Sequence, residues 1–404
     1  MMFGPLPPYN ILSMAIYTHT PTLCNELLSL IPKSTFSTLL GQHKTDKRSK
    51  KFNTRKTFIT LFVAQVSWVE SMRHIWTELE CHSSKLYHLW LWEFKRATFS
   101  DRINKVPPEI YQNVFYNLLS TTQKLISKKH IARDLWKVYA IDSTVISLCL
   151  SVFDRAHYRK KKWAIKLHTR LELSSALPDF VQISVWKKSD VSQIEVLLND
   201  IKSWSTVVFD RGYYDYEYWH KLTMRKILFV TRTKKNTEYT PIKHNEILDS
   251  RVLYDAEVEF VWESSYQKYP EKLRVVRYID PETWKMYEYI TNAMNLTAIE
   301  IADLYKRRRE IETLFRRLKQ NLKIKQFLWS SKNAVENQVW VALIYFLIVA
   351  LIKEKTRCKE SMLELTRKIS CLLFERVKIL HILWLEPQKV IKATSPPQSS
   401  LFDI

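Results

Sequence analysis

Hydrophobic and polar residues follow two rhythms along this 404-residue chain, and the change of rhythm divides it. Between residues 21 and 130 apolar side chains recur at helical spacing, as in Phe58-Ile-Thr-Leu-Phe-Val-Ala-Gln-Val and Val114-Phe-Tyr-Asn-Leu-Leu, with basic loops between them. From 135 to 235 short runs of apolar β-formers at 138–142, 164–173, 180–185, 206–210 and 227–231 predict strands, while 192–204 and 216–225 predict helices. Residues 236–292 alternate in the manner of half-buried strands, at 251–261, 273–279 and 286–291. A helical pattern then returns, with Thr297 as N-cap and Glu300 three residues on completing a capping box.

The order strand, strand, strand, helix, strand, helix, strand suits an α/β fold with a ribonuclease-H-like catalytic core. Six parts are expected: a loose leader at 1–20, where Pro5, Pro7 and Pro8 discourage regular structure; an N-terminal helical, DNA-binding domain at 21–130; the first part of the core at 131–235; a β-rich insertion at 236–292; the second part of the core, with the catalytic helix, at 293–355; and a helical tail at 356–404. The helical region at 21–130 has a second reading, as a support or dimerisation domain, behind the favoured DNA-end-binding one. The longest apolar run, 339–352, falls short of the roughly 20 residues that cross a bilayer and reads as a buried core helix.

Candidate chemistry gathers in the segment Tyr305-Lys-Arg-Arg-Arg-Glu-Ile-Glu-Thr-Leu-Phe-Arg-Arg-Leu-Lys319. At about 100° per residue, Tyr305, Arg308, Glu312 and Lys319 fall on one helix face. A carboxylate flanked by a phenol, a guanidinium and an ammonium suits an acid that holds a metal beside a phosphodiester. Two further acids close apolar strands, in Val138-Tyr-Ala-Ile-Asp142 and Thr206-Val-Val-Phe-Asp210, which predicts carboxylates presented at the C-terminal edge of a sheet. Asp142, Asp210 and Glu312 together have the hard oxygen donors that a two-metal phosphoryl-transfer site requires.

The Tyr-x2-Arg-x3-Glu-x6-Lys spacing, with Asp210-Arg-Gly-Tyr213 and Ile141-Asp-Ser-Thr144, resembles the insertion sequence 4 family of DDE transposases. The resemblance runs from about residue 21 to residue 350 and includes Leu30-Ile-Pro-Lys-Ser-Thr-Phe36, typical of one branch of that family. It implies that Asp142, Asp210 and Glu312 are the catalytic, metal-binding triad, with two Mg2+ ions for which Mn2+ can substitute, and that Tyr305, Arg308 and Lys319 grip the transposon end. Arg211, beside Asp210, and Lys166, at the end of the basic 159–166 run, are further candidate DNA contacts. The implied activity is cut-and-paste transposition through a DNA hairpin, on terminal inverted repeats and target DNA, by a homodimer in a synaptic complex in the bacterial cytoplasm and nucleoid. Arg309 departs from the pattern, since relatives often carry tryptophan after the motif arginine. Two other readings stay open: an inactive DNA-binding remnant, and a ribonuclease-H-like nuclease or junction resolvase.

Charge agrees with a polyanionic partner. Sixty-three Lys and Arg against 41 Asp and Glu give a net charge of +22, which favours nucleic acid through counterion release. The basic residues cluster at 44–56, 159–166, 306–309 and 316–325 and form no juxtamembrane run. Five scattered cysteines without a C-x-x-C spacing argue against a zinc site and for a reducing compartment, and the N-terminus lacks the pattern of a signal peptide.

One departure is compositional. The chain has 3 glycines and 14 tryptophans, although glycine ordinarily makes up about 7% of residues. Several tryptophans fall where a turn asks for glycine, as in Asp280-Pro-Glu-Thr-Trp284-Lys. Trp68, Trp90, Trp163, Trp186, Trp262, Trp284 and Trp329 stand at positions where relatives tend to carry glycine; a gene that reads UGA as glycine, conceptually translated with tryptophan, would account for them. For that reason no base-stacking role is assigned to Trp262.

Overall fold

The computed structural model describes residues 21–383 except 44, 48, 50–51, 70, 92–93, 131–136, 148–163, 186–187 and 322–330. Its centre is a nine-stranded mixed sheet in the order β3-β2-β1-β4-β5-β9-β8-β7-β6. The strands are β1 (Val138–Ser147), β2 (Ala164–Glu172), β3 (Leu177–Val185), β4 (Thr206–Phe209), β5 (Leu228–Arg232), β6 (Tyr239–His244), β7 (Val252–Phe260), β8 (Leu273–Ile279) and β9 (Met286–Thr291). Strands β1, β2 and β3 form an antiparallel meander, β1-β4-β5 is parallel, and β5 pairs antiparallel with β9.

The two-residue period of a strand sorts the side chains of β1 and β4 to opposite faces. Tyr139, Ile141, Val207 and Phe209 enter one buried cluster with Leu197, Trp219 and Phe229, beneath the helices Ile194–Leu198 and Tyr216–Met224. Ala140 and Val208 enter a second, larger cluster on the opposite face. That cluster holds the helices of the N-terminal half (Thr54–Val66, Arg96–Lys105 and Pro108–His130), and the helix Lys332–Thr356 packs against all three. Asp142 and Asp210, two residues beyond Ala140 and Val208, therefore belong to the face on which the C-terminal helices lie.

Several expectations change in the structure. β1 continues past Asp142 to Ser147, because Asp142 through Ser147 pair with Thr169 through Ala164 of β2. The acid is thus in mid-strand, and only the parallel pairing with β4 stops beside it. The predicted helix at 192–204 is a short 3₁₀ turn plus Ile194–Leu198, and the chain then turns at Trp204 toward β4. The region 236–292 contributes β6 to β9 to the same sheet as the core, and β6 was not foreseen. The helix around the 339–352 run spans 25 residues, Lys332–Thr356, so by length and composition it could cross a membrane. The most apolar window of that helix is 83% buried inside the protein, which is the placement expected of a core helix. The segments 1–20 and 384–404 lie outside the described residues.

Candidate active site

Strands β1 and β4 align so that Ile141 lies beside Phe209 at the last parallel pair. The next residue on each strand is an aspartate, so Asp142 and Asp210 leave the C-terminal edge of the parallel pair side by side. Ser143 donates its amide to Asp142 Oδ1 at 2.8 Å. Asp210 begins the 3₁₀ turn Arg211–Tyr213 and caps nothing with its side chain, which leaves the carboxylate for other partners.

The segment carrying Glu312 is two helices, Ala298–Arg307 and Arg309–Asn321, where one was expected. The first opens with the Thr297–Glu300 capping box anticipated from the sequence. Arg308 is its C-cap and keeps right-handed dihedrals. Ile301, Ile311, Leu314 and Leu318 bury one stripe of the pair, and the helix Arg309–Asn321 packs on β1.

Arg308 ties this pair to the sheet. Its guanidinium donates to Asp142 Oδ2 at 3.2 Å and to Glu312 Oε1 at 2.5 Å. Tyr305, which is 7% exposed, donates its hydroxyl to Asp210 Oδ1 at 3.3 Å. Asp142, Asp210 and Glu312 are thereby linked to one helix junction by two intervening donors. Burial pushes the Asp142 carboxyl up to about 6; the Ser143 amide and Arg308 oppose the rise, and Asp210 and Glu312 add to it. Burial acts against the charge of Arg308, but Tyr305, Asp142, Asp210 and Glu312 outweigh it and raise its pKa. Burial lifts the Tyr305 phenol to about 12, so it stays a hydrogen-bond donor at neutral pH.

Three carboxylates are a donor set that suits a hard divalent cation, and the Arg308 guanidinium bridges two of them, Asp142 and Glu312. Among the described residues, no three acids, histidines or cysteines converge closely enough to hold a metal, because Arg308 lies between Asp142 and Glu312. The Glu312 side chain that Arg308 holds is 46% exposed.

The other residues anticipated from the sequence have varied surroundings. Lys319 lies seven residues beyond Glu312 and so on the same helix face. Arg211 is half-buried beside Asp210, and its Nε has no hydrogen-bond partner among the described residues. Lys166 is 13% exposed and pairs with Asp190 at 2.8 Å, so a phosphate would have to compete with that carboxylate. Asp190 also lies 3.5 Å from Nδ1 of buried His168, whose Nε2 is 2.9 Å from Ser184 Oγ. Burial holds the His168 ring down at about 4, that is, neutral. His168 is the β2 partner of Ser143, so this group lies on the strand next to Asp142. On the other side, a small cavity is lined by Arg232, Tyr287, Tyr305, Arg308, Arg309 and Glu312 among others. The Arg232 guanidinium lies 5.0 Å from the Tyr287 ring centre and 5.9 Å from that of Tyr305. No local pattern marks Asp190, His168 or Arg232, since each acts through partners distant in sequence.

Comparison with known proteins supplies the context for this geometry. The profile of the family described as transposase DDE domain matches residues 137–347, just over half of the chain, and that of a domain of unknown function, DUF4372, matches residues 19–90. A protein of Sinorhizobium fredii named as transposase y4zB is 31% identical over 225 residues, covering 54% of this chain and 62% of its own length. A Geobacillus stearothermophilus protein named as a transposase for insertion sequence element IS5377 is 24% identical over 84% of this chain and 86% of its own. One from Synechocystis, named for insertion sequence element IS4SA, is 22% identical over 72% and 80%. Among solved structures, the cryo-EM piggyBac transposase synaptic complex with hairpin DNA covers 91% of this chain and 82% of its own at a TM-score of 0.43 and 12% identity.

Proposed function

This chain belongs to the transposase DDE-domain family, and we propose that it is a transposase of the insertion sequence 4 branch that moves its element by cut-and-paste phosphoryl transfer. The observation that carries the proposal is the junction at Arg308, which touches both Asp142 and Glu312 while Tyr305 holds Asp210. The strand order β3-β2-β1-β4-β5 supports a ribonuclease-H-like reading of the core at 131–235 and 293–355; in the same proposal 236–292 is the insertion, 21–130 the DNA-end-binding domain and 356–404 a helical tail. The proposed partners are the terminal inverted repeats and target DNA, bound by a homodimer in the bacterial cytoplasm and nucleoid.

Asp142, Asp210 and Glu312 would hold two Mg2+ ions, or Mn2+ in their place, which when bound supply an activated water or 3′-hydroxyl and neutralise charge at the departing 3′-oxygen. The protein's own residues do the positioning. Arg308, released from Glu312, has a planar fork suited to a phosphate oxygen pair at the scissile step. Lys319 adds a point charge on the same face, and Arg211 a further cation beside Asp210. Tyr305 keeps Asp210 oriented through its hydroxyl. Lys166, held by Asp190, sets charge behind the site and reaches DNA only if that pair opens.

The test is Mg2+-dependent cleavage of DNA carrying the element's own ends, by the protein and by its Glu312→Gln variant. A 3′ nick followed by a hairpin, lost in the variant, is the expected result. Binding without cleavage by either protein would give the inactive-remnant reading, and cleavage governed by DNA structure without regard to the ends would give the nuclease reading.

A further inference from the structure

Seven described residues other than glycine have left-handed backbone, and four of them are tryptophans: Trp68 (φ 54°), Trp90 (φ 57°), Trp204 (φ 67°) and Trp284 (φ 53°). Tryptophan supplies only 14 of 404 residues, and a bulky side chain in this region is strained. No described glycine has a positive φ, although such positions are where glycine is ordinarily used. Among the described residues tryptophan thus occupies four of the seven left-handed non-glycine positions, the reverse of what the two side chains dictate.

Each site is a glycine slot by its hydrogen bonds as well. Trp68 follows the Ser67 cap of the helix Thr54–Val66, and the next amide, Val69, returns to Ala64 O at 3.1 Å; this is the Schellman closure, whose left-handed residue is usually glycine. Trp90 repeats it at the end of the 3₁₀ helix Ser83–Leu89, with Leu91 N returning to Leu86 O at 3.2 Å. Trp284 closes the β8–β9 hairpin, its amide donating to Asp280 O at 2.8 Å and Asp280 N to Lys285 O at 3.0 Å. Trp204 turns the chain into β4, its amide donating to Lys226 O at 2.8 Å. Trp90, Trp204 and Trp284 are 61%, 67% and 81% exposed, and the Lys226 ammonium lies 5.4 Å from the Trp204 ring centre.

A second class of tryptophan behaves as the residue should. Trp219 is fully buried, with ring centres 4.4 Å from Tyr214 and 5.0 Å from Phe229. Trp340 is 3% exposed within the helix Lys332–Thr356, 5.4 Å from Phe115, and Trp76 packs 5.1 Å from Phe94 in the helix Met72–Cys81. Trp262, at φ −82°, has no backbone demand for glycine and is assigned to neither class. Trp163, Trp186 and Trp329 lie outside the described residues.

We propose that Trp68, Trp90, Trp204 and Trp284 are glycine in the cell that expresses this gene, encoded by UGA read there as glycine, whereas Trp76, Trp219 and Trp340 are encoded by UGG and are tryptophan. UGA is one base from the glycine codon GGA and one from UGG, so a translation that takes UGA as tryptophan produces this pattern. The proposal limits where the element can spread. Residue 68 is the first tryptophan in the chain, so a host that reads UGA as stop ends synthesis before most of the fold and all of the three acids are made.

The test is tandem mass spectrometry of the protein from its native host. Glycine at 68, 90, 204 and 284 with tryptophan at 76, 219 and 340 is expected. Tryptophan at the four left-handed positions overturns the proposal, and glycine at all seven overturns the division into two classes. A second measurement compares recombinant proteins carrying tryptophan throughout with one carrying Trp68→Gly, Trp90→Gly, Trp204→Gly and Trp284→Gly. The glycine form should melt about 5 °C higher or more, while Trp219→Gly alone melts lower. A lower Tm for the fourfold variant counts against the proposal.

Discussion

Arg308 is the residue on which the site turns, because it neutralises carboxylates that would otherwise repel one another across a partly dry space. Asp142 still ionises reluctantly, near pH 6, so its charged form opposes folding at neutral pH in metal-free buffer. Replacing it with asparagine removes that opposition: Asp142→Asn should be more stable than the parent by about 2 kcal/mol at pH 7.5, with the gap closing below about pH 4. Urea melts in EDTA at both pH values measure this, and a less stable variant at pH 7.5 would contradict it. A second buried group, His168, acts in the opposite direction with pH. The folded-state pKa of that ring is lowered to about 4, so its contribution is present above about pH 6.5 and is lost as pH falls toward 4, by about 3 kcal/mol.

Residue-scale chemistry was only partly legible in the sequence. Asp142 and Asp210 announced themselves by ending apolar runs, and their juxtaposition follows from parallel register. Tyr305 was expected at DNA by resemblance; in the structure its hydroxyl is on Asp210, a pairing across 95 positions that no local pattern encodes. Lys166 and Asp190 are on separate strands and loops for the same reason. If the Tyr305 hydroxyl orients Asp210, Tyr305→Phe should slow cleavage by roughly tenfold with little change in DNA affinity, the effect of one hydrogen bond to a charged group. A loss of affinity with unchanged single-turnover rate would restore the DNA-contact role.

At the level of elements, the sheet joins parts that the sequence suggested were separate. Buried Arg274 of β8 holds Asp255 of β7 at 2.6 Å and donates to the Met294 and Leu296 carbonyls, so it fixes the segment that leads into the helix of Tyr305. Arg274→Ala leaves a buried carboxylate unpaired and should destabilise the fold by about 3–5 kcal/mol, read as a shift in denaturation midpoint. A change under about 1 kcal/mol would show that the pair is dispensable. Most strands were legible because their apolar runs are short and β-branched. β6 was not, since Tyr-Thr-Pro-Ile-Lys-His carries a proline and little apolar pattern, as an exposed edge strand tolerates. The break at Arg308 was also hidden, because right-handed dihedrals preserve the helical periodicity across it.

For the whole molecule, the dominant facts are the buried helix Lys332–Thr356 and a net charge of +22. The helix was legible as a core element, although its length was underestimated because charged residues flank the apolar run. The charge predicts end-DNA affinity that falls steeply with salt, by about 10³-fold between 50 and 200 mM if six or more phosphates are neutralised. Salt-independent binding would contradict a phosphate-tracking surface. The central claim, however, is that Asp142, Asp210 and Glu312 act as one unit, and residues acting as a unit are strongly non-additive. The most direct measurement is the single-turnover end-cleavage rate in Mg2+ of the Asp210→Asn, Glu312→Gln and doubly substituted proteins. The account predicts that all three fall to one common floor. Single variants that retain substantial rates, with losses that multiply in the double variant, would contradict it.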